Sequence, residues 1–272
     1  MYRGKEKKMK KLAIVLMAIL CMGMSALAEE IVVFAAASMT ETLTELKDVY
    51  EAAHPGISII CNFDSSGTLK TQIAEGAECD LFISAGQKQM DQLDIHADPD
   101  VNTEGLDLIA ADTRVDLLEN RVCLCVPDTN PKDIRTFDEL AAALKEGGLL
   151  FCMGNEDVPV GQYTRKILAY YGLDEAELAG AGLITYGSNV KEVTTQIAEA
   201  SVDAGVIYCT DAFSAHLEIM DYATEEMCGQ IIYPAAVLKT APNPEAAKAF
   251  LNYLTTDEAM AVFAKVGFNS PR

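Results

Sequence analysis

The sequence has little positive charge. It holds 21 lysine and arginine residues against 41 aspartate and glutamate residues, which gives a formal net charge of −20 at pH 7. A strongly acidic surface argues against nucleic acid and against anionic lipid as binding partners. Both classes of partner are therefore excluded from the expected functions.

The sequence also lacks a catalytic pattern of a hydrolase, which needs a nucleophile, a base and an orienting acid in one site. It has three histidines and no G-x-S-x-G string. His54 lies in a turn beside Pro55, His96 in a loop and His216 in a polar helix, where surface positions are expected. An exported hydrolase is therefore the weaker alternative, and we predict that the protein is not an enzyme.

Only the N-terminal region carries a long apolar run. Residues 12–25 follow a basic stretch and precede an A-x-A site at Ala26–Ala28, a pattern typical of a secretory signal peptide. The run is shorter than the roughly 20 residues that span a bilayer. We predict a signal peptide over residues 1–28 and export to the periplasm or the outer face of the cytoplasmic membrane. Lipidation at Cys21 is the alternative, but residues 18–20 lack the small side chains that usually precede a lipidated cysteine.

Cleavage at this site leaves about 244 residues, enough for two compact lobes or one large domain. Loss of the signal peptide removes six of the 21 basic residues and one of the 41 acidic residues, so the formal net charge of the remaining chain falls to about −25. The remaining cysteines are odd in number and show no zinc-type spacing: Cys61, Cys79, Cys123, Cys125, Cys152, Cys209 and Cys228. We expect mostly free, buried thiols, with one disulfide as the alternative.

Short apolar runs alternate with amphipathic stretches along the whole mature chain. The first series predicts strands at 31–37, 57–63 and 80–84 and helices at 40–53, 68–75 and 87–93. The second predicts strands at 121–127, 149–153, 183–186 and 204–208 and helices at 137–146, 163–171 and 190–200. An extended run at 230–238 precedes closing helices at 244–255 and 257–266.

This alternation predicts an α/β fold with parallel-rich sheets and helices on both faces. The order of the elements fits a first lobe that is interrupted by a second. We predict lobe I over 29–122 plus 233–272, lobe II over 123–232, and two extended crossings between them.

Two of the predicted strands end at a serine and give way to a helix. The strings are residues 33–40, VFAAASMT, and residues 62–69, NFDSSGTL. Ser38 and Ser66 therefore lie at helix N-termini, where backbone N–H groups are free and the helix dipole is positive. Two such ends at the carboxyl edge of a parallel sheet indicate an anion site. The plainer interpretation is helix capping, because Ser38 and Glu41 have the spacing of a capping box.

These two strings resemble the periplasmic molybdate-binding proteins of ABC transporters, as do residues 79–85 (CDLFISA), 157–163 (DVPVGQY), 205–212 (GVIYCTDA) and 233–237 (YPAAV). The match runs in order through nearly the whole mature chain. The resemblance implies a two-lobed periplasmic-binding-protein type II fold that closes on molybdate or tungstate and delivers it to a membrane permease. It implies no cofactor, and we expect a monomer.

In the family that the chain resembles, two serine hydroxyls, two backbone amides and one tyrosine hydroxyl hold the oxyanion. Carried over by motif, these contacts fall on Ser38, Ser66, Val160, Val190 and Tyr208. Taken singly, each position has a more ordinary explanation as a cap, a core residue or a packed aromatic. Only the joint pattern favours a binding site.

Neutral donors suit molybdate, which is a dianion without a proton at neutral pH. Phosphate at this pH carries a proton that needs an acceptor, and burying it unpaired costs about 1–3 kcal/mol. Sulfate has no proton and must be rejected by size. Sulfate, phosphate and organic carboxylates stay open as ligands, although carboxylate sites usually recruit an arginine and none of the five positions is one.

The sequence departs from the family pattern at two positions near the site. Asp64 replaces a small apolar residue, and we expect its side chain to be exposed at the rim of the site. Val160 replaces alanine, which keeps the backbone amide but adds bulk.

Overall fold

The computed structural model describes residues 29–271. The predicted signal peptide, with Cys21, lies outside the described residues. The strands are β1 (Glu29–Ala36), β2 (Ile57–Asp64), β3 (Leu81–Ile83), β4 (Val115–Asn120), β5 (Val122–Cys125), β6 (Phe151–Gly154), β7 (Ile184–Gly187), β8 (Ala204–Tyr208), β9 (Ile219–Tyr222) and β10 (Ile231–Val237). The helices are α1 (Thr40–Ala53), α2 (Ser66–Ala74), α3 (Gln87–Asp91), α4 (Phe137–Glu146), α5 (Pro159–Tyr170), α6 (Glu175–Gly180), α7 (Val190–Ala198), α8 (Cys209–Ser214), α9 (Glu225–Cys228), α10 (Pro244–Leu254) and α11 (Asp257–Lys265).

The strands form two five-stranded sheets. Sheet I has the order β2-β1-β3-β10-β4, and sheet II has the order β7-β6-β8-β5-β9. In sheet I, β1 pairs in parallel with β2 and β3, and β10 runs antiparallel between β3 and β4. In sheet II, β6 pairs in parallel with β7 and β8, and β5 runs antiparallel between β8 and β9. Both sheets are therefore mixed, and the two have the same arrangement.

Local sequence explains the central elements of sheet I. Strand β1 lies between β2 and β3, and its apolar residues from Ile31 onward are almost all buried, as expected for a strand covered on both faces. Helix α1 buries Leu43, Leu46 and Tyr50, which recur at helical spacing, and it ends just before Pro55. The chain then turns into β2, so that the ends of β1 and β2 lie side by side.

The chain passes between the sheets twice. Strand β4 ends at Asn120 and β5 begins at Val122, so Arg121 alone separates the two sheets at the first crossing. The return runs from the end of β9 at Tyr222 through α9 to β10. The predicted α/β architecture with two extended crossings is confirmed.

Five short elements are absent from the sequence-based prediction: β4, α6, α8, β9 and α9. Strands β4 and β9 lie at sheet edges, where polar residues interrupt the apolar pattern. The three helices have four to six residues, too few to show a helical period. The strand predicted over 121–127 is also shorter than expected, because only Val122–Cys125 pairs in sheet II.

The cysteines of residues 29–271 are free thiols, as predicted; all are buried except Cys61, which is half-buried. Cys123 and Cys125 lie in the core of sheet II, with their Sγ atoms 3.8 Å apart. Burial raises the pKa of Cys61 to about 11 and that of Cys79 to about 12, so these thiols stay protonated and unreactive. In the described part of the chain, no helix is long and apolar enough to cross a membrane.

Candidate functional site

We call each sheet with the helices that connect its strands a side of the molecule. A small cavity lies where the carboxyl ends of β1 and β2, on the sheet I side, meet helix N-termini of the sheet II side. Its volume is about 10 Å³, which is about the space of one water-sized sphere. Pockets for drug-sized ligands have volumes of about 300–1,000 Å³. The cavity in this structure is therefore too small for a drug-sized ligand. It is lined by Ala36, Ala37, Ser38, Asp64, Ser65, Ser66, Ala85, Val158, Pro159, Val190 and Tyr208.

The structure brings four of the five predicted contact residues to this cavity: Ser38, Ser66, Val190 and Tyr208. The fifth, Val160, is fully buried behind the lining, and its neighbour Pro159 takes its place there. The added bulk of Val160 therefore packs into the sheet II core and does not narrow the cavity.

Ser38 does not cap helix α1. Its Oγ lies 2.9 Å from Oη of Tyr233, and α1 has no side-chain cap. The carboxylate of Glu41, the other member of the potential capping box, instead accepts a hydrogen bond from Lys191 Nζ at 2.8 Å. The plainer interpretation of Ser38 is therefore wrong, and its hydroxyl is available to the cavity.

The two adjacent serines at the start of α2, Ser65 and Ser66, have different roles. Ser65 caps α2, because its Oγ accepts the Thr68 N–H at 3.1 Å. Ser66 is the first residue of α2, and its Oγ accepts the Ala85 N–H at 2.9 Å. The lone pair of Ser66 is thus engaged by the protein, while its proton has no acceptor among residues 29–271.

Two helices of the sheet II side begin at the cavity. In α5, Val158 is the N-cap, Pro159 the first residue and Val160 the second. In α7, Val190 is the first residue, and the preceding Asn189 caps the helix with a side-chain bond to the Glu192 N–H at 3.1 Å. The N–H groups of a first turn have no acceptor within the helix, and the dipole there is positive. Both termini therefore favour an anion in the cavity.

Tyr208 lies at the end of β8 and reaches across the cavity. Its Oη donates to the backbone carbonyl of Ala85, on the sheet I side, at 3.3 Å. Burial raises the pKa of Tyr208 well above its usual value, so the phenol stays neutral and can only act as an uncharged donor or acceptor. A bound anion would compete with Ala85 for this proton.

Asp64 is the charged residue of the lining, and the expectation that it is exposed at the rim is wrong. The side chain is half-buried, and its Oδ1 accepts the backbone N–H of Ser65 at 2.7 Å. This bond holds the carboxylate against its own backbone at the start of α2. The remaining polar groups of the lining are neutral.

The two sides of the molecule touch around the cavity. The N–H of Gly67 donates to the carbonyl of Asp157 at 3.0 Å. Lys191 Nζ lies 2.8 Å from Glu41 on the sheet I side and 3.2 Å from Oδ1 of the fully buried Asp211. Neither oxygen of Asp211 accepts a well-formed hydrogen bond from the described residues, and burial raises its pKa to about 6. These contacts join the two sides next to the lining residues Ser66 and Val190.

The lining offers hydroxyl and phenol hydrogen-bond donors. None of its residues is a histidine, lysine or cysteine. Within residues 29–271 no cluster of histidine, cysteine and acidic side chains could hold a metal ion. A larger depression of about 510 Å³ lies near the crossings, but Glu119 and Glu225 line it, and Arg121 there stacks on the ring of Tyr222 at 3.8 Å. The small cavity is therefore the candidate site for an anion.

Comparison with known proteins agrees with this geometry. Residues 31–269 match the family model described as bacterial extracellular solute-binding protein. The chain is 35% identical over 239 residues to YvgL of Bacillus subtilis, named as an ABC transporter substrate-binding lipoprotein, covering 87% of this chain and 85% of that protein. It is 30% identical to the molybdate-binding protein ModA of Haemophilus influenzae, covering 96% of this chain and all of that protein. A solved substrate-binding domain from Clostridium difficile, described as part of a molybdenum ABC transporter, is 28% identical with a TM-score of 0.63, covering 89% of this chain and 99% of that one.

Proposed function

The chain belongs to the bacterial extracellular solute-binding proteins, a family that binds solutes without transforming them, and we propose that its solute is a tetrahedral oxyanion, molybdate or tungstate. The ligand would lie in the small cavity and contact Ser38, Ser66, Tyr208 and the backbone amides of Val160 and Val190. The protein would then deliver it to the permease of an ABC transporter.

One observation carries the choice of ligand. The cavity has neutral donors on both sides, and the carboxylate of its charged lining residue, Asp64, is engaged by the Ser65 N–H. A dianion without a proton can accept every one of these bonds. Hydrogen phosphate would bring a proton that needs an acceptor, and burying it without one costs about 1–3 kcal/mol. Neutral donors cannot take this proton, and in the charged lining residue, Asp64, only Oδ2 has no bond from its own backbone. Relatives that carry the name of molybdate-binding proteins support the same choice.

We propose that the two sheets with their helices are the lobes of a clamp, 29–122 plus 233–272 and 123–232. Because the contacts to the ligand would come from both lobes, the ligand would favour the closed arrangement by its differential affinity. The contact between Gly67 and Asp157 is then a feature of the closed state. Export through the signal peptide at 1–28, or anchoring at Cys21, would place the protein where the permease can receive the ligand.

A thermal-shift panel tests the ligand class. A ligand that binds only the folded state stabilises it by about 2.7 kcal/mol at a concentration one hundred times its Kd. We expect molybdate and tungstate to raise the unfolding temperature strongly, and sulfate and phosphate to do so weakly at equal concentration. A large shift with sulfate or phosphate and none with molybdate would contradict the proposal.

A further inference from the structure

Ser38 is part of a chain of buried hydrogen bonds that leads away from the cavity. Its Oγ lies 2.9 Å from Oη of Tyr233, which in turn lies 3.0 Å from Nδ2 of Asn120. Tyr233 and Asn120 are buried, and both lie on the strands that cross between the sheets. The proposed ligand contacts include neither residue.

The backbone fixes the direction of the first bond. Oδ1 of Asn120 accepts the N–H of Arg121 at 2.7 Å, and a backbone N–H can only donate. The amide nitrogen of Asn120 must therefore point the other way, where it lies 3.0 Å from Thr210 Oγ1 and 3.0 Å from Tyr233 Oη. Because an amide nitrogen is a donor only, Tyr233 accepts this bond.

The direction of the second bond follows from the first. Tyr233 has one proton, and Ser38 Oγ is the partner within 2.9 Å that can accept it. If Ser38 donated instead, the buried Tyr233 proton would have no acceptor among residues 29–271, and a buried donor without an acceptor is costly. The Tyr233 proton therefore lies in this bond. The Ser38 lone pair is then engaged, and the Ser38 proton is free to point into the cavity.

We propose that Tyr233 is a positioning residue that holds the Ser38 hydroxyl as a hydrogen-bond donor toward the bound oxyanion. This inference rests on the proposed function. The same logic applies to Ser66, whose lone pair is engaged by the Ala85 N–H. Both serines then offer protons and no acceptor. A ligand that brings its own proton, such as hydrogen phosphate, finds no partner for it at either serine.

The hydrogen bonds from Asn120 through Tyr233 to Ser38 form a relay. A double-mutant cycle on Ser38 and Tyr233 tests this relay, with molybdate affinity measured by titration calorimetry. We expect Tyr233→Phe to raise the Kd about tenfold, because Ser38 loses its fixed orientation. In a Ser38→Ala background the same substitution should change the Kd less than about twofold, since no hydroxyl is left to orient. Equal losses in both backgrounds would show a merely structural role and overturn the inference.

Ligand discrimination gives a readout that lost stability would not move. Without the Tyr233 proton, Ser38 can accept a hydrogen bond, so Tyr233→Phe should weaken molybdate binding more than phosphate binding. The Kd for phosphate divided by the Kd for molybdate should therefore fall toward one. Tyr50→Phe is the matched control, because Tyr50 is a buried tyrosine that packs on Phe250, away from the cavity. An unchanged ratio in Tyr233→Phe would contradict the inference.

Asn120→Asp is a second test variant, because it replaces the amide that donates to Tyr233 with a carboxylate that accepts from it. A carboxylate would accept the Tyr233 proton and so withdraw it from Ser38. We expect a loss of molybdate affinity at least as large as that of Tyr233→Phe, and the part due to the relay should vanish in the Ser38→Ala background. A loss of unchanged size in that background would count against the relay.

The outcome separates this inference from the proposed function. A wild-type protein that binds molybdate with a Tyr233→Phe variant that binds equally well refutes the relay alone. A wild-type protein that binds sulfate and not molybdate refutes the proposed ligand, and the same cycle run with sulfate then decides the relay. If no oxyanion binds to the wild type, both fall.

Discussion

The two sides of the cavity present donors of different kinds. The sheet I side offers side-chain hydroxyls, from Ser38 and Ser66, whereas the sheet II side offers helix N-termini at Pro159 and Val190 together with the phenol of Tyr208. A hydroxyl is lost with one substitution. A backbone amide persists through almost any substitution. The sheet I side should therefore be sensitive to the identity of its residues, whereas the sheet II side, apart from Tyr208, should be sensitive to the path of its backbone.

The largest effect is expected where the backbones of the two sides meet. A Cβ added at Gly67 would lie 2.2 Å from the carbonyl oxygen of Asp157, a distance that no real contact allows. Gly67→Ala should therefore keep the sides apart and weaken molybdate binding about one hundredfold, in line with the 1–3 kcal/mol that overpacking typically costs. Titration calorimetry measures this loss.

The ligand-free stability of the same variant is the control. The clash exists only when the sides touch, so the unfolding temperature of the free protein should change little. Gly148→Ala is a matched substitution, because a Cβ there meets nothing within 4 Å. Binding of wild-type strength by Gly67→Ala would show that the contact with Asp157 is not needed for binding.

The next effect in size concerns a hydroxyl of the sheet I side. Ser66→Ala removes a donor to the ligand and leaves the Ala85 N–H without its acceptor, so we expect the Kd for molybdate to rise by about thirtyfold, or about 2 kcal/mol. Asp64→Ala, two residues earlier, should change the Kd less than about tenfold, because its carboxylate is engaged by its own backbone. The reverse order of the two losses would contradict the assignment of Ser66.

The two sides also differ in how a buried carboxylate is held, which gives a prediction about pH. Asp80, on the sheet I side, accepts the backbone N–H groups of Val32 at 2.8 Å and Asn243 at 2.7 Å, whereas Asp211 accepts no well-formed hydrogen bond from the described residues. Asp211, in α8 of the sheet II side, has a pKa raised to about 6 by burial, against about 3.9 in an unfolded chain. The folded state therefore binds more protons between these values. The contribution of Asp211 to stability falls as the pH rises through this window, and the full cost is present above about pH 6.

Asp211→Asn removes this dependence. The free energy of unfolding of the variant, relative to wild type, should rise by about 2 kcal/mol between about pH 4.5 and about pH 6.5. Chemical denaturation at several pH values measures it. Since other carboxylates titrate in both proteins, only the difference between the two matters. A difference that does not change with pH would show that Asp211 is ionised throughout.

The sequence predicts the regular part of the fold because long elements have clear periods. Helices α1 and α4 have the bounds that their apolar spacing predicts. The edge strands β4 and β9 escape prediction because polar residues, such as Asp116 and Asp221, interrupt their apolar pattern. The antiparallel place of β10 in sheet I depends on a contact between distant parts of the chain, which no local pattern encodes.

The same reasoning applies to the candidate site. Ser38 and Ser66 can be found from the sequence because a hydroxyl at the end of an apolar strand is visible there. Tyr233 and Asn120 lie 113 positions apart and act through their mutual geometry, so no spacing reveals them. Val160 and Val190 look like core residues, because their expected contribution comes from the backbone.

Because the expected contribution of Val190 comes from its backbone N–H, a substitution that removes only this group tests the sheet II side directly. Val190 is the first residue of α7, where proline is tolerated since its missing N–H has no partner in the helix. The preceding Asn189 has an extended backbone, with φ −151° and ψ 172°, which is compatible with a following proline. Val190→Pro should delete the proposed donor, keep α7 and raise the Kd for molybdate about tenfold. Val190→Ala keeps the N–H and should change the Kd less than about threefold. Equal losses in both variants would mean that the valine side chain, and not its backbone, supports the ligand.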